Sequence, residues 1–586
     1  MKSLLRLRPY LARYKRLLFW GLATVVMSNI FGVVQPLVVG YAIDELKAGI
    51  EAQRITSGQL LLYAGLVVAF SLVAGSFTFL TRQTIIVVSR HIEFDLRNDF
   101  LTHIQKLHLA FFQNTPTGDL MAHATNDISA VRNVLGPGIM YPTDTFMTLV
   151  MVLTIMLFKD WQLTLLALVP FPFVSVGVYL LGKWVNKKFK ERQETYAELT
   201  TRAQESLSGI RVIKAYVREE YETKMFQRLS WDYLKKNLVL ARIQSVMWPL
   251  MFILVGFSLV LTLYFGGLRV MEGKMTIGSL TAFFVYLMML IWPMIAFGWV
   301  INILQQGAAS MARLVKILDT PPAVSDTGAT NRAITSLQGA IEFRNVSFRY
   351  SPSGPDVLDD VSLTIPAGTT LAVVGYTGSG KSTLVNLIPR LFEPTQGSVL
   401  IDGVDTRTIP LTVLRGSIGY VPQETFLFSE TIADNIGYGS DAVTDEAILR
   451  AADTAQLAKD VAESPKGFKT MLGERGITLS GGQKQRAGIA RAVVLEPKIL
   501  ILDDALSSVD TVTEEEILKR LRGVMRGRTS IIISHRISTV KDADRIVVLM
   551  NGRIAESGTH EELVALGGIY AELHRKQLLE EEIAHL

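Results

Sequence analysis

No cysteine occurs among the 586 residues of the chain. Disulfides, a thiolate nucleophile and a fused cysteine peptidase are thereby excluded, while the redox compartment stays open, because a cytoplasmic or membrane protein needs no disulfide. A strong excess of one charge sign is also missing. The net charge of +5 fits contact with a membrane surface and gives no sign of nucleic-acid binding. Charge itself is scarce in a patterned way: charged residues make up 19% and apolar residues 49% of the chain, yet isolated charges nearly vanish over long stretches before residue 305.

Those stretches number six, at 17–43, 59–80, 139–158, 162–182, 246–268 and 277–303. Each is long enough to cross a bilayer, which takes about 20 residues per span. The first has too long an apolar run for a cleavable signal peptide and is expected to stay. Before it, Leu4, Leu7, Leu11, Tyr14 and Leu18 recur at helical spacing among Lys2, Arg6, Arg8, Arg13, Lys15 and Arg16, as in an amphipathic helix lying on an anionic leaflet. Only Lys47 and Arg54 follow it in a loop of similar length, so the N-terminus is expected in the cytoplasm. An even number of spans returns the C-terminal half to the same side. The spans are then joined by long cytoplasmic segments at 81–138 and 183–245, and by short outer loops such as Lys159-Asp160-Trp161.

The long segments are poor in proline and glycine and read as helices continuing out of the membrane. Each has one interruption, at 114–120 and 206–216, and both are candidate contacts with the C-terminal half. Asp144 stands early in the third apolar segment, where it either attracts cationic substrates or sits at the solvated cytoplasmic end. Aromatic residues crowd the sixth segment: Phe283, Phe284, Tyr286, Trp292, Phe297 and Trp299, with Asn302, Gln305 and Gln306 beyond them. Such a lining suits a hydrophobic or amphipathic small molecule, and equally suits packing or contact with membrane lipids.

The texture changes at 319–336, where Pro321-Pro322, Asp326 and Gly328 mark a linker. The domains expected are a transmembrane domain at 1–318, a soluble α/β domain at 337–575 and a short tail at 576–586. In the soluble part, the apolar run Thr370-Leu371-Ala372-Val373-Val374 reads as a buried strand leading into Gly375-Tyr376-Thr377-Gly378-Ser379-Gly380-Lys381-Ser382, the phosphate-binding pattern GxxxxGK[ST]. Its glycines let backbone N–H groups wrap nucleotide phosphates, Lys381 reaches the terminal phosphates, and the Ser382 hydroxyl is placed for Mg²⁺. A second apolar strand ends in Asp503, whose carboxylate can hold the same ion. Ser480-Gly481-Gly482 leads into a helix whose N-terminal N–H groups suit another anion.

The order and spacing of these motifs resemble the ATP-binding cassette family, and six spans before one cassette resemble its bacterial exporter half-transporters. The resemblance covers the whole chain, with Leu479-Ser480-Gly481-Gly482-Gln483 beside the phosphate loop as its most specific part. It implies an all-α transmembrane domain followed by an α/β cassette, an ATPase coupled to transport across the bacterial inner membrane, and ATP with Mg²⁺. It implies that Tyr350 stacks on adenine, that Gly375, Thr377, Gly378, Ser379, Gly380, Lys381, Ser382 and Thr383 hold phosphate, and that Gln423 senses Mg²⁺ and the attacking water. Ser480, Gly481, Gly482 and Gln483 would close over nucleotide held by a second cassette. Asp503 would bind Mg²⁺ through water, 507–510 would cross between cassettes, His535 would contact the γ-phosphate, and 473–476 would form the exporter-specific loop.

One position departs from that pattern. The residue after the metal-binding aspartate is usually glutamate, the general base; here it is Asp504. In the heterodimeric exporters that this chain resembles, one half carries the weakened base beside a good signature, which points to a non-identical partner; a homodimer in which aspartate suffices is the alternative. A lipid flippase would share the machinery, whereas an ATP-gated channel would show a polar face along a span, and none is evident.

Overall fold

The computed structural model describes residues 2–51, 57–440, 442–473 and 476–584. It separates into two compact units, one of Met1–His103 with Gly118–Asp319 and one of Ile104–Thr117 with Thr320–Leu586.

The first unit is helical. Among the described residues, four helices are long and apolar enough to cross a membrane by length and composition: Lys15–Glu51, Gly58–Gln105, Thr117–Lys159 and Ile277–Leu318. The segments expected at 162–182 and 246–268 lie in helices whose apolar parts, Trp161–Phe173 and Val255–Met271, are shorter among the described residues. The basic N-terminus is helical in two pieces, Lys2–Leu7 and Arg8–Arg13. It is docked: Ser3 donates to the Ala308 carbonyl at 2.9 Å, Tyr10 to Asp99 at 2.6 Å and Arg13 to Asp95 at 3.1 Å. Leu7 is buried while Leu5 stays exposed.

Without a strong hydrophobic drive between helices in lipid, packing and polar contacts hold such a unit together. Phe283 and Tyr286 are buried in a core with Val33, Met156 and Leu163, and the Tyr286 hydroxyl donates to the Val33 carbonyl at 2.8 Å. Trp292 and Trp299 are exposed; the side chain of Phe297 lies outside the described residues. Helix Ile277–Met289 approaches the first long helix so closely that a Cβ on Gly278 would fall on the Gly40 carbonyl oxygen. The Gly278 N–H donates to Asp44 at 2.7 Å there.

The second unit holds two sheets. An antiparallel sheet has the order β2-β1-β4-β5, from Leu358–Ile365, Ile341–Phe348, Gln396–Ile401 and Val404–Asp405. A six-stranded sheet has the order β10-β9-β3-β8-β7-β6, from Arg553–Gly558, Arg545–Met550, Thr370–Val374, Thr529–Ile533, Ile499–Asp503 and Ile418–Val421. All its pairings are parallel except β10 with β9. The central strands β3, β8 and β7 are mostly apolar because both faces are covered. Leu371, Val373, Ile501 and Ile533 join the core of the antiparallel sheet, and Ala372, Val374, Leu502 and Ile532 join the core of the helical layer.

Residues 104–117 belong to this unit. The short helix Leu109–Asn114 lies by the cassette, where Leu109 and Phe112 line a cavity with Pro322, Val324, Arg390, Leu411 and Arg415. His108 Nδ1 accepts from the Ala323 N–H at 3.4 Å. The contact thus falls just before the interruption expected at 114–120. The second interruption forms helix Ile210–Ala215 in the helical unit, with Ile210, Val212 and Tyr216 exposed. Gly278→Val should wedge the two helices apart at a cost of about 3 kcal/mol or more, read as loss of folded yield and a lower melting temperature in detergent.

Candidate functional site

The parallel register of β3, β8 and β7 sets the site. Thr370 pairs with Ser530 and Asp503 with Ile533, so the C-terminal ends of β3 and β7 emerge on the same edge of the sheet. The phosphate loop follows β3 directly. Gly375, Gly378 and Gly380 have φ of 149°, 82° and 100°, a region that only glycine enters without strain. The loop delivers Lys381 and Ser382 to the start of helix Lys381–Leu387.

Lys381 is buried and its Nζ donates to the Gly375 and Tyr376 carbonyls, both at 2.9 Å. Burial pulls its pKa down, while the nearby Asp504 and Asp503 carboxylates act against that shift. The Ser382 hydroxyl donates to Asp503 Oδ1 at 3.1 Å. Burial pushes the Asp503 carboxyl above the usual range, although the Ser382 hydrogen bond opposes it. A hydroxyl and a buried carboxylate at hydrogen-bond distance are the hard oxygen donors that suit Mg²⁺, with nucleotide phosphate completing its shell. Ser379 Oγ is buried with no protein partner, an unused polar atom inside the phosphate cradle. No group of three or more His, Cys, Asp or Glu that could hold a metal occurs among the described residues, so a cation here would rely on the nucleotide.

Around this centre stand most of the remaining expected residues. The Tyr350 hydroxyl is 2.9 Å from Thr383 Oγ1, and its ring packs edge-on against Phe392 at 5.3 Å. Gln423 Nε2 reaches Asp504 Oδ2 at 3.5 Å. Asp504 has φ of 49°, and its N–H donates to the Ile533 carbonyl at 2.9 Å. His535 is exposed just past β8.

Ser480, Gly481, Gly482 and Gln483 lie elsewhere. Ser480 caps helix Gly481–Val493 in a reciprocal capping box with Gln483, and Gln483 Nε2 donates to Asp460 at 3.0 Å. Among the described residues, no hydrogen bond joins them to the phosphate loop, and Ser480 and Gly481 are exposed. The loop at 473–476 lies partly outside the described residues.

Sequence reasoning missed Gln485. It is buried, its Nε2 donates to Ser507 Oγ at 2.9 Å, and its Oε1 accepts from the Ser508 N–H at 2.8 Å. It therefore ties the signature helix to the turn that follows Asp504. The only signal was its place one residue beyond the Gln483-Lys484 pair on a helix.

A phosphate loop, a carboxylate-ended strand and an exposed Ser-Gly-Gly helix start, in one chain with a helical unit apolar enough to span a membrane, define a nucleotide-driven membrane transporter. Residues 18–294 match the family described as ABC transporter transmembrane region, and residues 358–507 match the one described as ABC transporter. The chain is 39% identical over 560 residues to the probable multidrug resistance ABC transporter ATP-binding/permease protein YheI of Bacillus subtilis, covering 95% of each. It is 35% identical over 584 residues to an ATP-dependent lipid A-core flippase of Syntrophus aciditrophicus, covering 99% of this chain and 95% of that one. Among solved structures, a bacterial Atm1-family ABC exporter with ATP bound superposes with a TM-score of 0.79 at 28% identity, covering 97% of this chain and 99% of that one. The chain belongs to the ABC transporter family, as an exporter half-transporter. It binds ATP, couples ATP hydrolysis to export, and is a multi-pass protein of the inner membrane.

Asp503→Asn separates the two roles of the buried carboxylate. With the folded pKa raised, ionised Asp503 costs stability above that pKa, and the cost fades as pH falls toward about 4. The variant should melt higher than wild type at neutral pH without nucleotide, with the gain shrinking in acid. Its Mg-ATP hydrolysis should fall by about 10²-fold or more, measured by phosphate release.

Proposed function

We propose that this chain is one half of a heterodimeric exporter of hydrophobic or amphipathic compounds, supplying a slow-hydrolysing nucleotide site and an intact signature. Asp504 carries the reading. Its carboxylate is one methylene shorter than glutamate, about 1.5 Å, and misplacement on that scale can cost about 10²-fold in rate. The positive φ at this position suits aspartate, which tolerates the left-handed region better than glutamate does. The complete signature beside it implies that a full set of catalytic parts is recovered where this chain's Ser480–Gln483 meets a partner's glutamate.

In this reading Tyr350 stacks on adenine, and Gly375, Thr377, Gly378, Ser379, Gly380 and Thr383 line the phosphates. Lys381 leaves its loop carbonyls to hold the terminal phosphates. Ser382, Asp503 and Gln423 hold Mg²⁺, which when bound neutralises charge developing on the phosphates. Asp504 orients water weakly, and His535 contacts the γ-phosphate. The six apolar segments act as spans with both termini cytoplasmic. Closure of two cassettes reaches the helices through Leu109–Asn114, seated in its own cassette unit, and through Ile210–Ala215, whose exposed apolar residues suit a partner chain. The helices then alternate between inward and outward access. A homodimeric lipid flippase is the second reading, favoured by the 35% identity to a lipid A-core flippase along 99% of this chain.

Ser480→Ala is expected to slow ATP hydrolysis of the assembled transporter more than Asp504→Asn does, because the signature serves the faster site. A larger loss from Asp504→Asn would remove the asymmetry. Purified alone, the chain should show little substrate-stimulated ATPase activity, whereas vigorous turnover and transport by it would establish the homodimer.

A further inference from the structure

Asp144 is held in the middle of the apolar helices by neutral groups only. Asn29 Nδ2 donates to Asp144 Oδ1 at 2.7 Å and to the Val25 carbonyl at 3.0 Å, while Thr148 donates to Asn29 Oδ1. The amide is 7% exposed, and both of its arms are used. Asp144 remains partly accessible, and no ion pair reaches it among the described residues, although many are formed elsewhere in the chain. At 1.5 Å per residue, Asp144 lies about 22 Å along its helix from the charged turn Lys159-Asp160, and Asn29 about 20 Å from Arg16. Against a hydrocarbon core of about 30 Å, the separation of Asn29 from the cytoplasmic Arg16 puts the pair well inside the apolar layer and away from the cytoplasmic end.

The surroundings add acceptors and aromatic faces, not cations. Pro142, inside the same helix, has no N–H to give the Gly138 carbonyl. Thr145 Oγ1 is buried without a partner. One turn from Asp144, Tyr141 packs edge-on against Trp299 with centroids 4.9 Å apart, and Trp299 keeps an exposed face. An intramembrane carboxylate with spare acceptor capacity beside aromatic rings favours a cation that brings its own apolar body.

We propose that Asp144, positioned by Asn29 and bordered by Tyr141 and Trp299, is the recognition point for lipophilic organic monocations among the compounds this exporter carries. The proposal rests on the export reading above. The protein exports an apolar cation by pairing it with a carboxylate that is otherwise held only by an amide.

The test is equilibrium binding of tetraphenylphosphonium and of its near-isosteric anion, tetraphenylborate, to the full-length chain in lipid nanodiscs, corrected for partition into protein-free discs. Wild type should bind the cation saturably and prefer it to the anion. Asp144→Asn should weaken cation binding about tenfold or more and erase the preference, and Asp144→Glu should restore both. Absence of saturable cation binding by wild type, or an Asp144→Asn protein that keeps its affinity and preference, would overturn the proposal. The ion preference is a ratio within one preparation, so a variant with reduced folded yield still reports it. Failure of the export reading would appear separately, as no ATP-driven movement of any amphiphile by proteoliposomes of the assembled transporter, this chain with its partner, while cation binding persists.

Discussion

The nucleotide site depends on one short contact, Ser382 Oγ to Asp503 Oδ1 at 3.1 Å. These groups are far apart in sequence and meet only because β3 and β7 flank β8 in parallel register, with side chains alternating between two cores. A shift of one residue in either pairing would turn each strand's apolar set over and carry the loop and the carboxylate apart. The burial of this sheet is therefore what holds a lysine and a carboxylate in a place where each is costly without nucleotide. Nucleotide phosphate bound there would relieve that cost, coupling ligand to fold in the same few residues.

The membrane unit solves a different problem. Its helices are apolar inside and out, so specificity falls to close backbone approach and a few polar contacts: Gly40 against Gly278 beside Asp44, Tyr286 on the Val33 carbonyl, and Arg269 on Asp160. The Gly278 N–H and the Tyr286 hydroxyl are thereby satisfied where lipid could not satisfy them. Asp144 differs from Asp160, which is paired with Arg269, because its own hydrogen-bond partner is a neutral amide.

Much of the cassette was legible because its signals are local. The strand read at 370–374 is β3, and the run ending at Asp503 is β7; each pairs a short apolar stretch with a turn motif at its end. The signature was legible for the same reason, since a Ser-x-x-Gln start is a capping box as well as a family mark. Gln485 was not, because its worth lies in hydrogen bonds to Ser507 and Ser508 that only the folded chain brings near. The seat of Leu109–Asn114 was placed a few residues late: a single short helix has too little periodicity to mark itself, and proline and glycine at 116–118 drew the boundary instead. Two of the six apolar segments, 162–182 and 246–268, include positions outside the described residues, and their described apolar parts are shorter for that reason.

The central claim is that Asp504 makes this chain's own site retain ATP. It is tested most directly by photo-cross-linking radiolabelled azido-ATP to the transporter during steady turnover and identifying the nucleotide bound to this chain. Mainly unhydrolysed ATP on the wild-type chain, changing to ADP in Asp504→Glu, is the expected result; ADP on the wild-type chain at the level found on a glutamate-bearing cassette would contradict it.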